Sequence, residues 1–402
     1  MKIYAQHGAQ TGEKINLGLE QSLLDGVIYS PKDISLANLK QKIKYVDSNF
    51  DNVDQLLDPQ YYAALIKSDA ARLGNLIKDY ATYFSCAQRS HLERERSIER
   101  VLSSSIAFQR KLNLTGIIAP NILIPNSLNS IEAVIAKNFI RQTGSVAKKF
   151  KVKTPIYATL AIARDALMNI QEINEFLNDI TMLDDPPDGY YIIVQSRSSD
   201  ARSDIYNADV IAAWMLLNYS LSVNGFEVIN GYSDLLTPLL CSVGGAAGST
   251  GWWTNLRVFS LGRFMKSKGG GRLPIQRYLS CILLNRITFY ELNSLREILP
   301  GVMNDLETDD IYDINRGSEP ERNKEVLQSW EALGFLLNKV SAKDIKKSLL
   351  RLQKIIKDAS IAYKKIELTG VTLDSKSNDE HLEPLLEGIK LFCSSAEIKL
   401  SQ

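Results

Sequence analysis

The chain has 402 residues, of which 45% are hydrophobic and 23% are charged, the ordinary balance of a soluble globular protein. Its 47 lysines and arginines nearly cancel its 46 aspartates and glutamates, which excludes a generally basic nucleic-acid binder and an acidic solvating chain, although not a local charged patch. The length allows one large domain with an appendage or two to three smaller domains.

Eight short apolar runs alternate with helical segments as far as about residue 260. The predicted strands cover residues 2–5, 26–29, 54–57, 115–119, 155–161, 189–194, 226–229 and 239–243. Several runs are continuously apolar, which is typical of strands buried on both faces of a parallel sheet. Helical spacing and capping residues predict helices between them, for example over residues 35–44 and 208–222.

Eight strand–helix units over about 260 residues match the size of a (β/α)8 barrel, the TIM barrel. The predicted fold class is therefore α/β, with a parallel TIM-barrel-like domain over residues 1–300, and a doubly wound open sheet is the alternative. The segment of residues 61–112 is too long for one crossover connection, so we predict a helical insertion there. Residues 301–402 predict a C-terminal helical region.

Cysteine and histidine are too sparse to suggest a metal centre. Cys86, Cys241, Cys281 and Cys393 form no CxxC pair, so neither a structural zinc site nor a disulfide framework is predicted. The three histidines leave little for a multi-histidine site. We therefore expect no metal and no cofactor. Because no signal peptide and no run of 18 apolar residues is recognisable, we also expect a cytoplasmic protein without a membrane partner.

Residues that directly follow the strands are the catalytic candidates, because these loops meet at one mouth of a barrel. Asp58 follows the third strand, where burial could tune it as a base or nucleophile, and an Asp-Pro turn is the structural alternative. His7 follows the first strand and could act as acid, base or ligand, or be a hydrogen-bonded structural histidine. Lys32 follows the second strand, and either it or its neighbour Asp33 could face the site.

A glycine-rich segment, GGAAGSTG at residues 244–251, follows the eighth predicted strand and is the candidate phosphate site. Glycines let backbone N–H groups approach an anion, and this fold often binds phosphate after its last two strands. A barrel-closing loop is the alternative, since no P-loop or GxGxxG pattern is present. The predicted substrate ligands are Gly244, Gly245, Gly248, Ser249, Thr250, Gln195, Asp234, and Arg164 and Arg197 as bidentate clamps.

Residues 235–290 contain no Asp or Glu but seven lysines and arginines, interleaved with aromatic residues. Basic groups near stacking rings suit phosphorylated ligands or single-stranded nucleic acid. The alternative is a basic face that pairs with the acidic cluster at residues 305–310. The predicted polyanion-binding residues are Arg263, Lys266, Lys268, Arg272 and Arg277.

Two functions fit these patterns. The first is a TIM-barrel-like enzyme that acts on a phosphate-bearing substrate such as a nucleotide or nucleic acid, with Asp58 or His7 handling protons. The second is a non-catalytic barrel subunit of a larger assembly, such as a bacterial anti-phage defence complex. It would bind nucleic acid, or protein subunits through the C-terminal helices. The lack of a strong catalytic signature such as GxSxG is the observation behind the second function.

Overall fold

The computed structural model describes residues 1–66, 70–200, 202–265, 274–314 and 318–400. Its centre is a curved, nearly closed sheet of parallel strands in the order β3-β2-β1-β9-β8-β7-β6-β4, with β5 beside the later half of β6. The strands are β1 (Lys2–Gln6), β2 (Gly26–Tyr29), β3 (Asp54–Leu57), β4 (Ile117–Ala119), β5 (Leu123–Ile124), β6 (Ile156–Ala163), β7 (Gly189–Gln195), β8 (Glu227–Gly231) and β9 (Ala247–Thr250).

The first and last strands of this sheet in chain order, β1 and β9, pair with each other, and the two ends of the strand order, β3 and β4, are joined by a backbone hydrogen bond, so the sheet is a barrel rather than an open doubly wound sheet. Ala5 lies opposite Thr250 and Tyr4 opposite Ser249 in the β1–β9 ladder. Between β3 and β4, the Thr115 backbone N donates to the Gln55 carbonyl at 3.0 Å. The predicted α/β TIM barrel is confirmed, and the open sheet is wrong for this chain.

Helices surround the barrel and fill the connection between β3 and β4. Polar caps begin several of them, as where Ser35 Oγ accepts from the Asn38 backbone N at the start of α2. They are α1 (Lys14–Glu20), α2 (Leu36–Asn49), α3 (Ala70–Leu73), α4 (Arg89–Leu92), α5 (Glu95–Gln109), α6 (Ile131–Lys149), α7 (Ile170–Thr181), α8 (Arg202–Ile205), α9 (Ala208–Val223) and α10 (Thr237–Cys241). Short 3-10 turns lie at Tyr61–Ala63, Gly74–Ile77, Arg164–Leu167, Asp234–Leu236, Leu261–Phe264 and Glu307–Asp309.

The chain after β9 adds a two-stranded antiparallel hairpin and further helices. The long helix α9 is buried nearly all round because α16 packs over its outer side. Gly388 of α16 allows this approach, since a Cβ there would lie 2.6 Å from Ile211 Cγ2. These elements are α11 (Thr254–Arg257), β10 (Arg277–Ser280), β11 (Asn285–Thr288), α12 (Phe289–Leu295), α13 (Asp310–Ile314), α14 (Arg322–Val340), α15 (Ile345–Leu368) and α16 (Leu382–Ser395).

The eighth predicted strand is wrong, whereas the other seven coincide with β1–β4 and β6–β8. Residues 239–243 belong mostly to α10, whose first turn contains Pro238, a residue suited to a helix start. A short apolar run can be a buried helix or a buried strand, and periodicity does not separate the two. The real last strand, β9, consists of the small residues Ala-Gly-Ser-Thr.

No helix in the described part of the chain is long and apolar enough to cross a lipid bilayer.

Candidate active site

The carboxyl ends of β2, β3, β7 and β8 meet around a buried polar network. Asp58, directly after β3, has no exposed surface. Its Oδ1 accepts from the Gln60 backbone N at 3.0 Å, and its Oδ2 accepts from the Tyr62 hydroxyl at 2.8 Å and the Tyr191 hydroxyl at 3.4 Å. Burial raises the pKa of the Asp58 carboxyl to about 6, although the hydrogen bonds from Tyr62 and Gln60 lower it.

Arg263 lies beside this network and contacts residues that follow β2 and β8. Its side chain is only 3% exposed, and its Nη2 donates to Asp33 Oδ2 at 2.5 Å. Its Nη1 donates to the Tyr232 hydroxyl at 2.5 Å, and its guanidinium lies 5.4 Å from the Phe264 ring centroid. Burial alone would raise the pKa of Asp33, but the charges of Arg263 and Lys32 hold it below its ordinary value. The buried ion pair of Arg263 and Asp33 therefore lies at the mouth of the barrel.

His7 lies directly after β1 and is 2% exposed. Its Nε2 is 3.1 Å from Thr11 Oγ1, and the Thr11 hydroxyl donates its one hydrogen to the Gly8 carbonyl at 2.7 Å. The His7 Nε2–H must therefore be the donor to Thr11, which leaves Nδ1 as the atom with a lone pair. Nδ1 has no hydrogen-bond partner in the part of the chain that the structure describes. Burial lowers the pKa of His7 to about 4, against the attraction of Asp33, so the imidazole is neutral at pH 7.

His7 and Asp33 form part of the wall of a cleft of about 510 Å³, which we call the His7 cleft. The loop after β1 and the start of α1 bound it on one side, and α2 bounds it on the other. Lys42 of α2 is the one lysine or arginine among the described lining residues, and it makes no ion pair with any described residue. Burial lowers the pKa of the Lys42 ammonium. The cleft thus contains the neutral imidazole of His7 and the ammonium of Lys42, which pairs with no described acid.

The glycine-rich segment does not form one loop at the mouth, because the strand predicted before it is a helix. Gly244 and Gly245 precede β9, so they lie at the amino ends of the strands, where the next residue, Ala246, bonds to the backbone of Val228 and Lys2. Gly248, Ser249 and Thr250 lie inside β9 itself. There Ser249 Oγ donates to Gln6 Oε1 at 2.8 Å and Thr250 Oγ1 donates to Asp234 Oδ1 at 2.6 Å, so both hydroxyls serve contacts within the barrel.

The remaining predicted anion ligands that are described are engaged with groups of the same chain. Asp234 receives two hydrogen bonds from Arg286, at 2.6 and 2.8 Å. Gln195 Nε2 donates to the Ser196 carbonyl, and Lys32 Nζ lies 3.4 Å from Asp33. The predicted clamps are paired as Arg164 with Asp165 and Asp204, and Arg197 with Asp165. The predicted polyanion ligand Arg277 pairs with Asp374.

The described arginines of the basic segment pair with acids, but not with the acidic cluster at residues 305–310 that was the alternative to a polyanion site. Arg257 pairs with Glu325, Arg263 with Asp33 and Arg286 with Asp234. These arginines pair with acids from several other parts of the chain. The described residues of the basic segment therefore do not form a free basic face. The predicted polyanion ligands Lys266, Lys268 and Arg272 lie outside the described residues.

Sequence reasoning missed the residues that complete the site. Tyr62, Tyr191 and Tyr232 surround Asp58 and Arg263, yet tyrosines in strands and turns are ordinary core residues in a sequence. Nothing in the sequence marks Lys42 as a site residue, because a single lysine on a helix face usually points to water. Within the described residues, no group of three or more His, Cys, Asp or Glu side chains could hold a metal ion.

No protein-family model matches this chain, and no curated protein matches its sequence. Solved structures with a similar fold include a chitinase from Rhizomucor miehei, at 14% identity and a TM-score of 0.32 over 57% of this chain and 68% of that one. An HpcH/HpaI aldolase from Desulfitobacterium hafniense matches at 10% identity and a TM-score of 0.33, over 62% of this chain and 86% of that one. A dihydrodipicolinate synthase from Oceanobacillus iheyensis matches at 11% identity and a TM-score of 0.24, over 96% of both chains.

Proposed function

We propose that this chain is a TIM-barrel enzyme that acts on a phosphate-bearing small molecule bound in the His7 cleft. The observation that carries the proposal is the His7 imidazole, which is buried at the end of β1, lines the cleft and has no partner for Nδ1 among the described residues. TIM-barrel enzymes place their chemistry at the carboxyl ends of the strands. A buried titratable group with a shifted pKa that lines a cleft is a physical mark of an active site.

His7 acts as the proton acceptor in this proposal. The chain from Nε2–H through Thr11 to the Gly8 carbonyl fixes the ring and keeps the proton off Nδ1. Nδ1 has almost no exposed surface, so the proposal requires the bound substrate to displace the groups that cover the ring before Nδ1 takes a proton from it. Asp58 and Lys32 are not among the residues that line this cleft, and we assign them no step.

Lys42 binds the phosphate group in this proposal, as a point charge at the side of the cleft. Its positive charge also lowers the pKa of His7, after the larger effect of burial. A bound phosphate dianion neutralises that charge and adds a negative one near the ring, so substrate binding raises the pKa of His7 toward neutrality. The base therefore strengthens when the substrate is present.

The variant His7→Asn tests the proposal. We expect it to lose at least about 100-fold in turnover, because a positioned acid–base group contributes about 10²–10⁴ in rate. Purified wild-type and variant protein are incubated with a metabolite extract, and the consumed phosphorylated compounds are identified by mass spectrometry. His91→Asn is the matched control, since His91 is exposed on α4. Equal consumption by both His7 forms, or no compound consumed by the wild type, contradicts the proposal.

A non-catalytic binding subunit is the second candidate. It is favoured by close packing at the carboxyl ends of the strands, where the Tyr62 ring lies 4.9 Å from Phe259 and 6.0 Å from Phe264 and leaves little room for a substrate. This function predicts a defined complex with a second protein or salt-dependent binding of nucleic acid, together with no turnover in the metabolite experiment. Light scattering of the purified chain with its co-purifying proteins measures the first property, and a salt titration of DNA binding measures the second.

A further inference from the structure

The His7 cleft is lined by carboxamide side chains that make no internal hydrogen bonds. These groups are Gln10 and Asn16 on one wall and Asn38 and Gln41 on the other. None of their amide oxygens or nitrogens bonds to another group in the ranges that the structure describes. Each amide therefore keeps two donors and one acceptor for water or a ligand.

The wall formed by α2 is one continuous polar face. Asn38, Gln41, Lys42 and Tyr45 follow at steps of three, one and three residues, which places them on the same side of a helix. The opposite side carries Leu39, Ile43 and Val46, which are buried against the barrel. The helix thus presents amides, one ammonium and one phenol ring together to the cleft.

Hydroxyl groups match these amides better than further anionic groups do. A hydroxyl both donates and accepts, as an amide does, whereas phosphate and carboxylate oxygens only accept, so they can bond the amide nitrogens while the exposed amide oxygens stay with water. The charge of Asp33 is already matched by Arg263, so Lys42 provides for one anionic group. The volume of about 510 Å³ lies within the usual range of about 300–1,000 Å³ for small-molecule sites.

A nucleotide fits this lining less well than a sugar does. Bases are usually held by stacking on aromatic faces. Among the described lining residues Tyr45 has the one phenyl ring, and it is 39% exposed and packs edge-on against Phe50. The amides are instead spread over both walls, which suits a ligand with hydroxyl groups on several sides.

We infer that the ligand of the His7 cleft is a sugar phosphate, with its phosphate at Lys42 and its hydroxyl groups on the amides of Gln10, Asn16, Asn38 and Gln41. The inference rests on the proposed function, which it makes more specific. It is tested by calorimetric titration of the full chain with inorganic phosphate, D-ribose 5-phosphate and D-glucose 6-phosphate. At least one sugar phosphate is expected to bind at least 10-fold more tightly than inorganic phosphate.

The double variant Asn38→Ala/Gln41→Ala is expected to bind that sugar phosphate at least 10-fold more weakly, with inorganic phosphate binding unchanged within twofold. Asn49→Ala is the matched control, because Asn49 is exposed near the end of the same helix and does not line the cleft. Sugar phosphates that bind no better than inorganic phosphate, or that bind the double variant as well as the wild type, overturn the sugar inference alone. No binding of any phosphate-bearing probe overturns the proposed function as well.

Discussion

Replacing Arg263 with Met is expected to lower the free energy of unfolding by about 3–5 kcal/mol, the usual cost of leaving one member of a buried ion pair without its partner. Asp33 would stay buried beside Ser30 with only the longer contact to Lys32, at 3.4 Å, to balance its charge. The Tyr232 hydroxyl would lose its contact with the guanidinium, and the rings of Tyr232 and Phe264 would lose the guanidinium beside them. Urea denaturation at pH 7 measures the difference.

Two further variants make this result specific. Adding Asp33→Asn to Arg263→Met is expected to restore part of the lost stability, because it removes the uncompensated charge. Arg197→Met is the matched control, since Arg197 is 65% exposed in its pair with Asp165 and such pairs contribute less than about 1 kcal/mol. If Arg263→Met costs no more than Arg197→Met, Arg263 does not occupy the buried position described for it.

Replacing Asp58 with Asn is expected to change how stability depends on pH. The folded pKa of Asp58, about 6, lies above the ordinary value of 3.8, so folding favours the protonated carboxyl. Well below pH 3.8 the group is protonated in both states and folding carries no penalty. As the pH rises from 3.8 through 6, the carboxyl ionises more readily in the unfolded chain than in the folded one. The wild type therefore loses stability relative to the neutral Asn variant, by an amount on the order of 3 kcal/mol over this pH range.

The measurement is the difference in the free energy of unfolding between wild type and Asp58→Asn at several pH values from 4 to 7. Other titrating groups largely cancel in this difference. Tyr62→Phe is the companion variant: the lost hydrogen bond normally lowers the pKa of Asp58, so its removal is expected to extend the dependence to higher pH and enlarge the total difference. A difference that does not change with pH would contradict the buried position of the carboxyl.

Strand prediction succeeded where the sequence contains continuous apolar runs. Tyr190 to Ile193 of β7 are buried on both faces, and a run of this kind, next to a Pro-Gly turn, is typical of a central parallel strand. Prediction failed for β9, whose Gly248, Ser249 and Thr250 face neighbours so close that small residues are needed. A Cβ on Gly248 would lie 2.3 Å from Thr237 Oγ1, a packing constraint that only the folded chain reveals.

The positions of His7 and Asp58 at strand ends could be predicted because they depend only on where the first and third strands stop. Their surroundings could not. The contact between Arg263 and Asp33 joins residues 230 positions apart, and Tyr191 reaches Asp58 across 133. Such pairs depend on barrel closure, so charge counting over residues 235–290 predicted free arginines where the folded chain supplies acids.

The titration of His7 by nitrogen NMR tests the central claim most directly, because the chain has only three histidines and His7→Asn identifies the signal. We predict a neutral ring at pH 7 with its proton on Nε2, a pKa of about 4, and a rise in that pKa when phosphate is added. A pKa near the ordinary 6.5 that does not respond to phosphate, or a proton on Nδ1, would contradict the account.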